Sequence, residues 1–597
     1  MSAPSFSGPA PAWQLWRNPI LRRFLRTRLR PRALGASLLV FILLAGFIFT
    51  LSRTIGMSQL RYHNELAARM IAEGKGVPPG LTLDLASVER LCLLPLLALQ
   101  GFILFVIGTA QVAGGMTAEA EEGTMDYLRL SPMTPLAKVL GYLLGLPIRE
   151  WILFAVTLPF TAWGLWHGKV PAANWFPVYA VVLSAALLYH FTGLTAGTVL
   201  RNRRWAFLVS MGGVFLLYTL IPQLANFGLV YFEYLTIMPV VTENLPGFLP
   251  LSAGAAMRTV QQLQPDVRFF GLGFPEAVFT IFSQLVLCLT FAVMLWRRWR
   301  RTESHLLGKP WASGLAVWIQ IVLLGCSLPL VSPGLLFISR RLSMRFGRAF
   351  GGNSNPELPE AAAMIAVFGT VTLLAILILA ICISPSRESQ QTGLRRATKA
   401  NRRIPFFSDE ASAIPFTVVM ALAGAAGWTI FAQKLVGSHW FPGQSLPAST
   451  PLIFAAVLLS TSLCAVLLYE LRGAKGLFLA GIFAGIVPLL AGTILIAANR
   501  DLSASAVWVT ALSPLSAPTN AVATLLPDAT FQHTGLQLAA PRAFLFWQAL
   551  LILASLWLWS KHRTESKARR ATAPPQPHPL IPPTPPTEHG LSSPRLP

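Results

Sequence analysis

Apolar runs long enough to cross a bilayer recur from one end of the chain to the other, and a run of about 20 such residues is the length of one membrane-spanning helix. They stand near residues 33–53, 91–114, 146–166, 175–200, 205–232 and 274–296. A second set stands near 314–338, 361–384, 414–436, 451–470, 477–498 and 543–560. The gaps between runs are mostly about 5 to 45 residues, below the usual size of a separate domain. The fold expected is an all-α polytopic integral membrane protein with about twelve transmembrane helices in two six-helix halves. Composition agrees: 54% of the 597 residues are hydrophobic and 12% charged, against roughly 45–50% and about 25% in soluble proteins.

The net charge of +23 would suggest nucleic acid in a soluble chain. In a membrane protein the position of the positives matters instead, and no nucleic-acid partner is expected. With a cytoplasmic N-terminus, the inside segments collect Arg17 to Arg32, Arg201 to Arg204, Arg297 to Lys309, Arg387 to Arg403, Arg472 with Lys475, and Lys561 to Arg570. The charge-poorer segments 54–90, 233–273 and 499–542 then lie outside, and both termini inside. Arg340, Arg341, Arg345 and Arg348 break the pattern, so the seventh span, which carries Pro329 and Pro333, could be re-entrant. The first apolar run starts near Ala33 behind an arginine-rich stretch with no small-residue cleavage site, so it is expected to stay as an anchor. The five cysteines all fall in apolar runs without a Cys-x-x-Cys pair and read as buried small hydrophobes.

Two tetrapeptides repeat at nearly one offset. Pro250-Leu251-Ser252-Ala253 recurs 264 residues later as Pro514-Leu515-Ser516-Ala517. Arg301-Thr302-Glu303-Ser304 recurs 262 residues later as Arg563-Thr564-Glu565-Ser566. A tandem duplication follows, with residues 1–32 as N-terminal segment, 33–304 and 305–562 as the halves, and 563–597 as a basic, then Pro-rich disordered tail.

Three segments could carry chemistry. Asn18-Pro19 reads as a helix cap with proline in the first turn. The helix it opens puts Leu21, Phe24, Leu25 and Leu29 on one face and Arg22, Arg23 and Arg26 elsewhere, as expected of a strip lying in the membrane interface with Trp13 and Trp16 as anchors. Between spans two and three, Thr117 to Met133 packs Glu119, Glu121, Glu122 and Asp126 into a short link of a basic protein. Locally it reads as two short helices, the first capped by Thr117 and ended by Gly123 in a left-handed conformation. The second is capped by Thr124 and stopped at Ser131-Pro132. The Pro-Leu-Ser-Ala segments read as helix breaks at the outer leaflet, tolerable only inside protein or along a cavity. Arg149-Glu150 is expected to be a self-paired interfacial couple, and His190, inside the fourth span, a histidine bonded within the bundle. No zinc signature, nucleophile elbow or phosphate-binding Gly-x-x-x-x-Gly-Lys-Ser/Thr is present.

The run acidic-x-acidic-x-Gly-Thr-x-acidic-x-Leu followed by Ser-Pro resembles the cytoplasmic coupling segment of type-2 ATP-binding-cassette permeases. The Asn-Pro-x-x-Arg-Arg helix and the Pro-Leu-Ser before a closing span fit the same family, and the resemblance covers residues 13–304. Ala120 and Glu122 stand where that family commonly has basic residues. Between spans eight and nine the link Arg387 to Arg403 is basic and has no second Glu-x-Gly-Thr. The resemblance implies a permease, with export favoured, in a bacterial cytoplasmic (inner) membrane, and no catalysis by the chain itself. ATP and Mg would sit on a separate ATPase subunit docking on Glu119, Glu121, Glu122, Gly123, Thr124, Asp126, Leu128 and Pro132. It also implies that Pro250, Ser252, Pro514 and Ser516 belong to the outer gate. A second permease chain is a partner only if one chain does not supply both halves.

Two rival readings fit the same sequence. A secondary transporter also commonly has six plus six spans, but it needs acidic or broken mid-membrane sites, and the acidic cluster here is not in a span. A membrane enzyme acting on lipid-linked substrates would press Glu119, Glu121 and Asp126 into holding a metal or acting as base.

Overall fold

The structure, a computed structural model, describes residues 14–76, 83–200, 202–249, 267–301, 304–331, 358–498, 503–527 and 534–571. Among them the chain is helical nearly throughout, as a bilayer demands of any backbone that cannot hydrogen-bond to water. The one sheet among the described residues is a hairpin of β1 (Val267–Phe269) and β2 (Leu272–Phe274).

Helix α1 (Pro19–Arg28) precedes α2 (Pro31–Ala72), and α3 (Leu85–Glu121) leads through Gly123 into α4 (Thr124–Leu130). Then come α5 (Pro135–Gly145), α6 (Ile148–His167), α7 (Ala172–Val199), α8 (Arg203–Ala225), α9 (Met238–Phe248) and α10 (Glu276–Arg300). The remainder is α11 (Lys309–Ser327), α12 (Leu358–Ile383), α13 (Arg387–Lys399), α14 (Ile414–Val436), α15 (Thr450–Leu495), α16 (Ser503–Ala511), α17 (Ala517–Leu525) and α18 (Thr534–Ala571).

Ten of the described helices are long and apolar enough to cross a membrane, and eleven spans result if α5 and α6, bent by 49°, form one. The chain is thus a multi-pass helical membrane protein. The bend sits at Pro147, which lacks the N–H a continuous helix would use. Two elements outrun the apolar lengths read from sequence. Helix α2 has 42 residues, about 63 Å at 1.5 Å per residue, twice the hydrocarbon thickness of roughly 30 Å. Its first half is the expected span, and the stretch expected to be a loop continues the helix. The expected spans 451–470 and 477–498 join in α15, whose 46 residues are interrupted at Gly473 with φ +76° and ψ −173°, a conformation glycine reaches without strain. The seventh span ends earlier than expected: α11 stops at Ser327 and a 3₁₀ turn, Leu328–Val331, follows. Pro333 and the arginines at 340, 341, 345 and 348 lie outside the described residues, as do Thr302-Glu303 and the tail from 572.

Buried apolar side chains form two large clusters. One draws on residues between Ile20 and Trp299; the other draws mainly on residues between Leu307 and Phe544, with Leu229 to Tyr234, Val267 and Phe279 joining it. Small residues bring the helices of the first together. A Cβ on Gly193 would stand 2.8 Å from the Thr109 carbonyl, and one on Gly197 2.7 Å from that of Ala113, the small-xxx-small contact of membrane helices. In the second cluster Trp428 lies flat on Phe454, centroids 3.6 Å apart, and its Nε1 donates to the Ile365 carbonyl at 2.7 Å. His190 is buried as expected, Nε2 at 3.0 Å from the Leu104 carbonyl. Leu104 belongs to a π-helical stretch, Phe102–Gly108, that widens α3 there. No disulfide joins the five cysteines, three of which are buried and two partly buried.

One end of the bundle collects most of the described basic clusters. Arg129 Nη2 of α4 reaches the Arg298 carbonyl at the end of α10 (3.4 Å). Arg297 holds Asp409 with both oxygens, at 2.6 and 2.9 Å. Lys309 Nζ donates to the carbonyls of Ser408 and Ala411, each 2.6 Å. Glu470, fully buried in α15, accepts from Ser412 Oγ and the Ala413 N–H, both 3.0 Å, and from His562 Nε2 of α18 at 2.8 Å. A continuous polar belt therefore ties α4, α10 and α11 through the segment before α14 to α15 and α18 on this basic face.

Candidate functional site

The acidic link sits on the basic face as a short helix held at both ends. Its entry differs from the sequence expectation. Helix α3 runs unbroken to Glu121, so Thr117 is not a cap: it is buried inside the helix, Oγ1 donating to Ala113 and Gly197 carbonyls at 3.0 and 3.3 Å. Gly123 ends α3 with φ +70°, as expected, and is itself the residue preceding α4. Thr124 is the first helical residue, and no side chain caps α4. At the far end Ser131, extended at ψ 145° before Pro132, stops the helix.

The anchors come from residues distant in sequence. Glu119 faces the bundle, receiving Arg23 Nη2 of α1 at 2.5 Å and the Tyr142 hydroxyl of α5 at 3.0 Å. Glu121 accepts the Arg203 N–H at 3.2 Å, at the positive end of α8. Lys138, buried in α5, donates to the carbonyls of Arg129 and Ser131, both 3.3 Å, satisfying the C-terminal end of α4. Met125 is buried and Leu128 packs against the first cluster. Any push on α4 therefore reaches α3, α5 and α10 directly.

The opposite side of α4 faces outward. Tyr127 is 76% exposed and Leu130 86%. Around them stand exposed Glu121, Glu122, Asp126 and Pro132, with Asp126 paired to Arg129 three residues on. The arrangement suits protein contact: an aromatic and an aliphatic anchor on a rigid helix, rimmed by charge. Leu128 and Glu119, expected from the sequence on the docking face, point inward, and the outward positions are Tyr127 and Leu130. The signal was present, since Met125 and Leu128 fall on one side of a 3.6-residue period and Tyr127 and Leu130 on the other.

Helix α1 belongs to the same assembly. Asn18 caps it as expected, Oδ1 accepting from the N–H groups of Ile20 (3.0 Å) and Leu21 (3.4 Å), with Pro19 first in the helix. Its buried face is Ile20 and Phe24, whereas Leu25 is exposed; the expected strip of Leu21, Phe24, Leu25 and Leu29 is rotated, because α1 packs on protein. Arg22 and Arg26 remain exposed. Asn18 Nδ2 donates to the Ala137 carbonyl at 2.6 Å. Phe24 sits over Gly145, where a Cβ would be 2.7 Å from its ring, and Ile20 over Gly141. A leucine at position 145 should unseat α1: hydrogen exchange of residues 19–28 should rise in the Gly145→Leu protein while α14 exchange stays unchanged. Unaltered exchange at α1 would show that the glycine contact does not hold it.

In the second half, α13 occupies the matching place between α12 and α14. Ser386 caps it, accepting from the Ser389 N–H, and Gly393 faces the Glu410 side chain. Its surface is basic, with no counterpart of the Tyr127 and Leu130 pair. Nearby, His305 is half-buried, with its Nε2 buried and unpartnered, and burial, ahead of the opposing pull of Asp409, lowers its pKa from the ordinary 6.5. The neutral ring's contribution to stability is thus complete above the unfolded value and is lost as pH falls through the folded one. Exchange around 304–309, corrected for intrinsic rate, should quicken on acidification in the native chain and respond less in His305→Gln. Equal responses would remove His305 as the cause.

The remaining expected sites divide. Arg149 and Glu150 do pair, at 2.9 Å. Pro514 to Ala517 forms the turn between α16 and α17: buried Ser513 Oγ donates to the Gly485 carbonyl at 2.7 Å and Ser516 Oγ to that of Thr510 at 2.6 Å. Gly485 lies in a second π-helical stretch, Gly481–Ile486. Pro250 and Ser252 lie outside the described residues. The carboxylates required by a membrane-enzyme reading do not converge, since Glu119, Glu121 and Asp126 turn to Arg23, Arg203 and Arg129 respectively. No family model, curated protein or solved structure matches the chain.

Proposed function

We propose that the chain is the transmembrane permease subunit of an ATP-driven transporter of the type-2 ATP-binding-cassette kind, an exporter powered by a separate ATPase that binds ATP and Mg. The observation that carries this reading is α4: an outward Tyr127 and Leu130 among carboxylates, on a helix whose every anchor leads into a span. Closure of a docked partner on ATP would push α4, and the Glu119 and Lys138 ties would pass the displacement to α3, α5 and α10. Reading Gly473 as the turn between two spans, and α5 with α6 as one, brings the count to twelve, six on each side of residue 304. One chain then supplies both halves, with both termini and the basic face cytoplasmic. The α13 face, basic and without an apolar anchor, would meet the partner differently or not at all.

Two substitutions test the docking. Glu121→Lys reverses a rim charge, and Gly123→Pro demands φ near −65° where the chain needs +70°. Both should leave membrane insertion intact while the ATPase no longer co-purifies. Native association in both, with normal transport, would refute the reading.

A further inference from the structure

A cavity of about 620 Å³ opens on the basic face at the seam between the two core clusters. Arg129 of α4, Arg300 and Arg301 at the end of α10, Arg396 of α13, and Arg402 and Arg403 beyond it all line this space, with Glu410 as the one carboxylate. Arg129 is engaged by Asp126 and Arg396 by Glu410 at 3.4 Å. Arg301, Arg402 and Arg403 form no ion pair among the described residues. Like charges this close repel, and guanidinium forks match the oxygens of a phosphate.

The surroundings specify which phosphate. Phe406 and Phe407 follow Arg402-Arg403 by only a few residues, are 54% and 64% exposed, and lie tilted against Phe416 in the first turn of the spanning helix α14, at 4.9 and 5.8 Å between centroids. Arg300 lies over the Trp296 ring at 5.4 Å, at the end of another spanning helix. Arginines beside exposed aromatics at the ends of membrane helices fit a ligand that is anionic at one end and apolar at the other. A soluble anion would use the arginines and leave the phenylalanines without a role.

We propose that this cavity binds the phosphate headgroup of an anionic phospholipid from the adjoining leaflet, with Arg301, Arg402 and Arg403 on the phosphate and Phe406 and Phe407 against the acyl chains. The lipid bridges α10 to the segment after α13, across the seam. The site does not depend on any ATPase partner.

The test is binding of short-chain phosphatidylglycerol, short-chain phosphatidylcholine and inorganic pyrophosphate to the purified full-length chain in neutral detergent. Phosphatidylglycerol should bind at least about tenfold more tightly than phosphatidylcholine. The exposed triple variant Arg301→Gln/Arg402→Gln/Arg403→Gln should lose about tenfold or more of that affinity with an unchanged melting temperature. Phe406→Ser/Phe407→Ser should weaken the lipid and leave pyrophosphate binding as it was. Equal binding of the two lipids, or native affinity in a folded triple variant, would overturn the proposal. Pyrophosphate binding as tightly as phosphatidylglycerol, with the phenylalanine variant indifferent, would assign the site to a soluble anion and overturn the lipid.

Discussion

If α4 docks an ATPase as proposed, replacing Tyr127 and Leu130 together by alanine is expected to release that partner while leaving the chain folded in the membrane. Both side chains are more than three-quarters exposed, so truncation removes no internal packing, and α4 keeps its ties through Glu119, Lys138 and Arg129. At a docking surface such anchors carry most of the energy, each about 2 kcal/mol or more, or roughly 30-fold in affinity. The pair should therefore weaken association by roughly two to three orders of magnitude, measured as retention of the proposed partner on the tagged chain. Rim substitutions such as Glu122→Gln should act less. Retention within about threefold of native for the double variant would mean that α4 is not the anchor.

Glu470→Ala should be the most damaging single change on the basic face. The carboxylate is fully buried and accepts from Ser412, the Ala413 N–H and His562, so its removal strands three donors from two separate parts of the chain. Losing such an acceptor costs about 1–3 kcal/mol per stranded group and about 3–5 kcal/mol when a buried ionic contact is broken. Thermal unfolding in detergent should fall by several degrees, against no change for the exposed Glu388→Ala. Glu470→Gln should recover part of the loss, since an amide oxygen can still receive the Ala413 N–H. A variant as stable as the native chain would show that the belt does not hold α14, α15 and α18 together.

Much of the architecture was legible because a bilayer leaves few choices. Apolar runs located nearly every span, and the basic clusters that share a face in three dimensions were those grouped by charge counting. Local chemistry was legible too: Asn18 caps α1, Gly123 turns left-handed, Ser131-Pro132 ends α4, and Arg149 pairs with Glu150. What failed depended on partners far along the chain. Thr117 resembles a cap until the Gly197 carbonyl is placed beside it. The face of α1 could not be phased without Gly141 and Gly145 beneath it, and Glu119 resembles an outward carboxylate until Arg23 and Tyr142 are seen to claim it. Helix ends past the apolar window, as in α2, leave no hydropathy signal, because polar residues continue a helix as readily as they leave one.

The most direct test of the docking reading is photo-crosslinking in native membranes from position 127, with Tyr127 replaced by benzoylphenylalanine. Mass spectrometry should identify an adduct with a soluble protein carrying Gly-x-x-x-x-Gly-Lys-Ser/Thr, and the adduct should vanish when Glu121→Lys is added. Adducts confined to lipid, or a partner without a phosphate-binding loop, would contradict it.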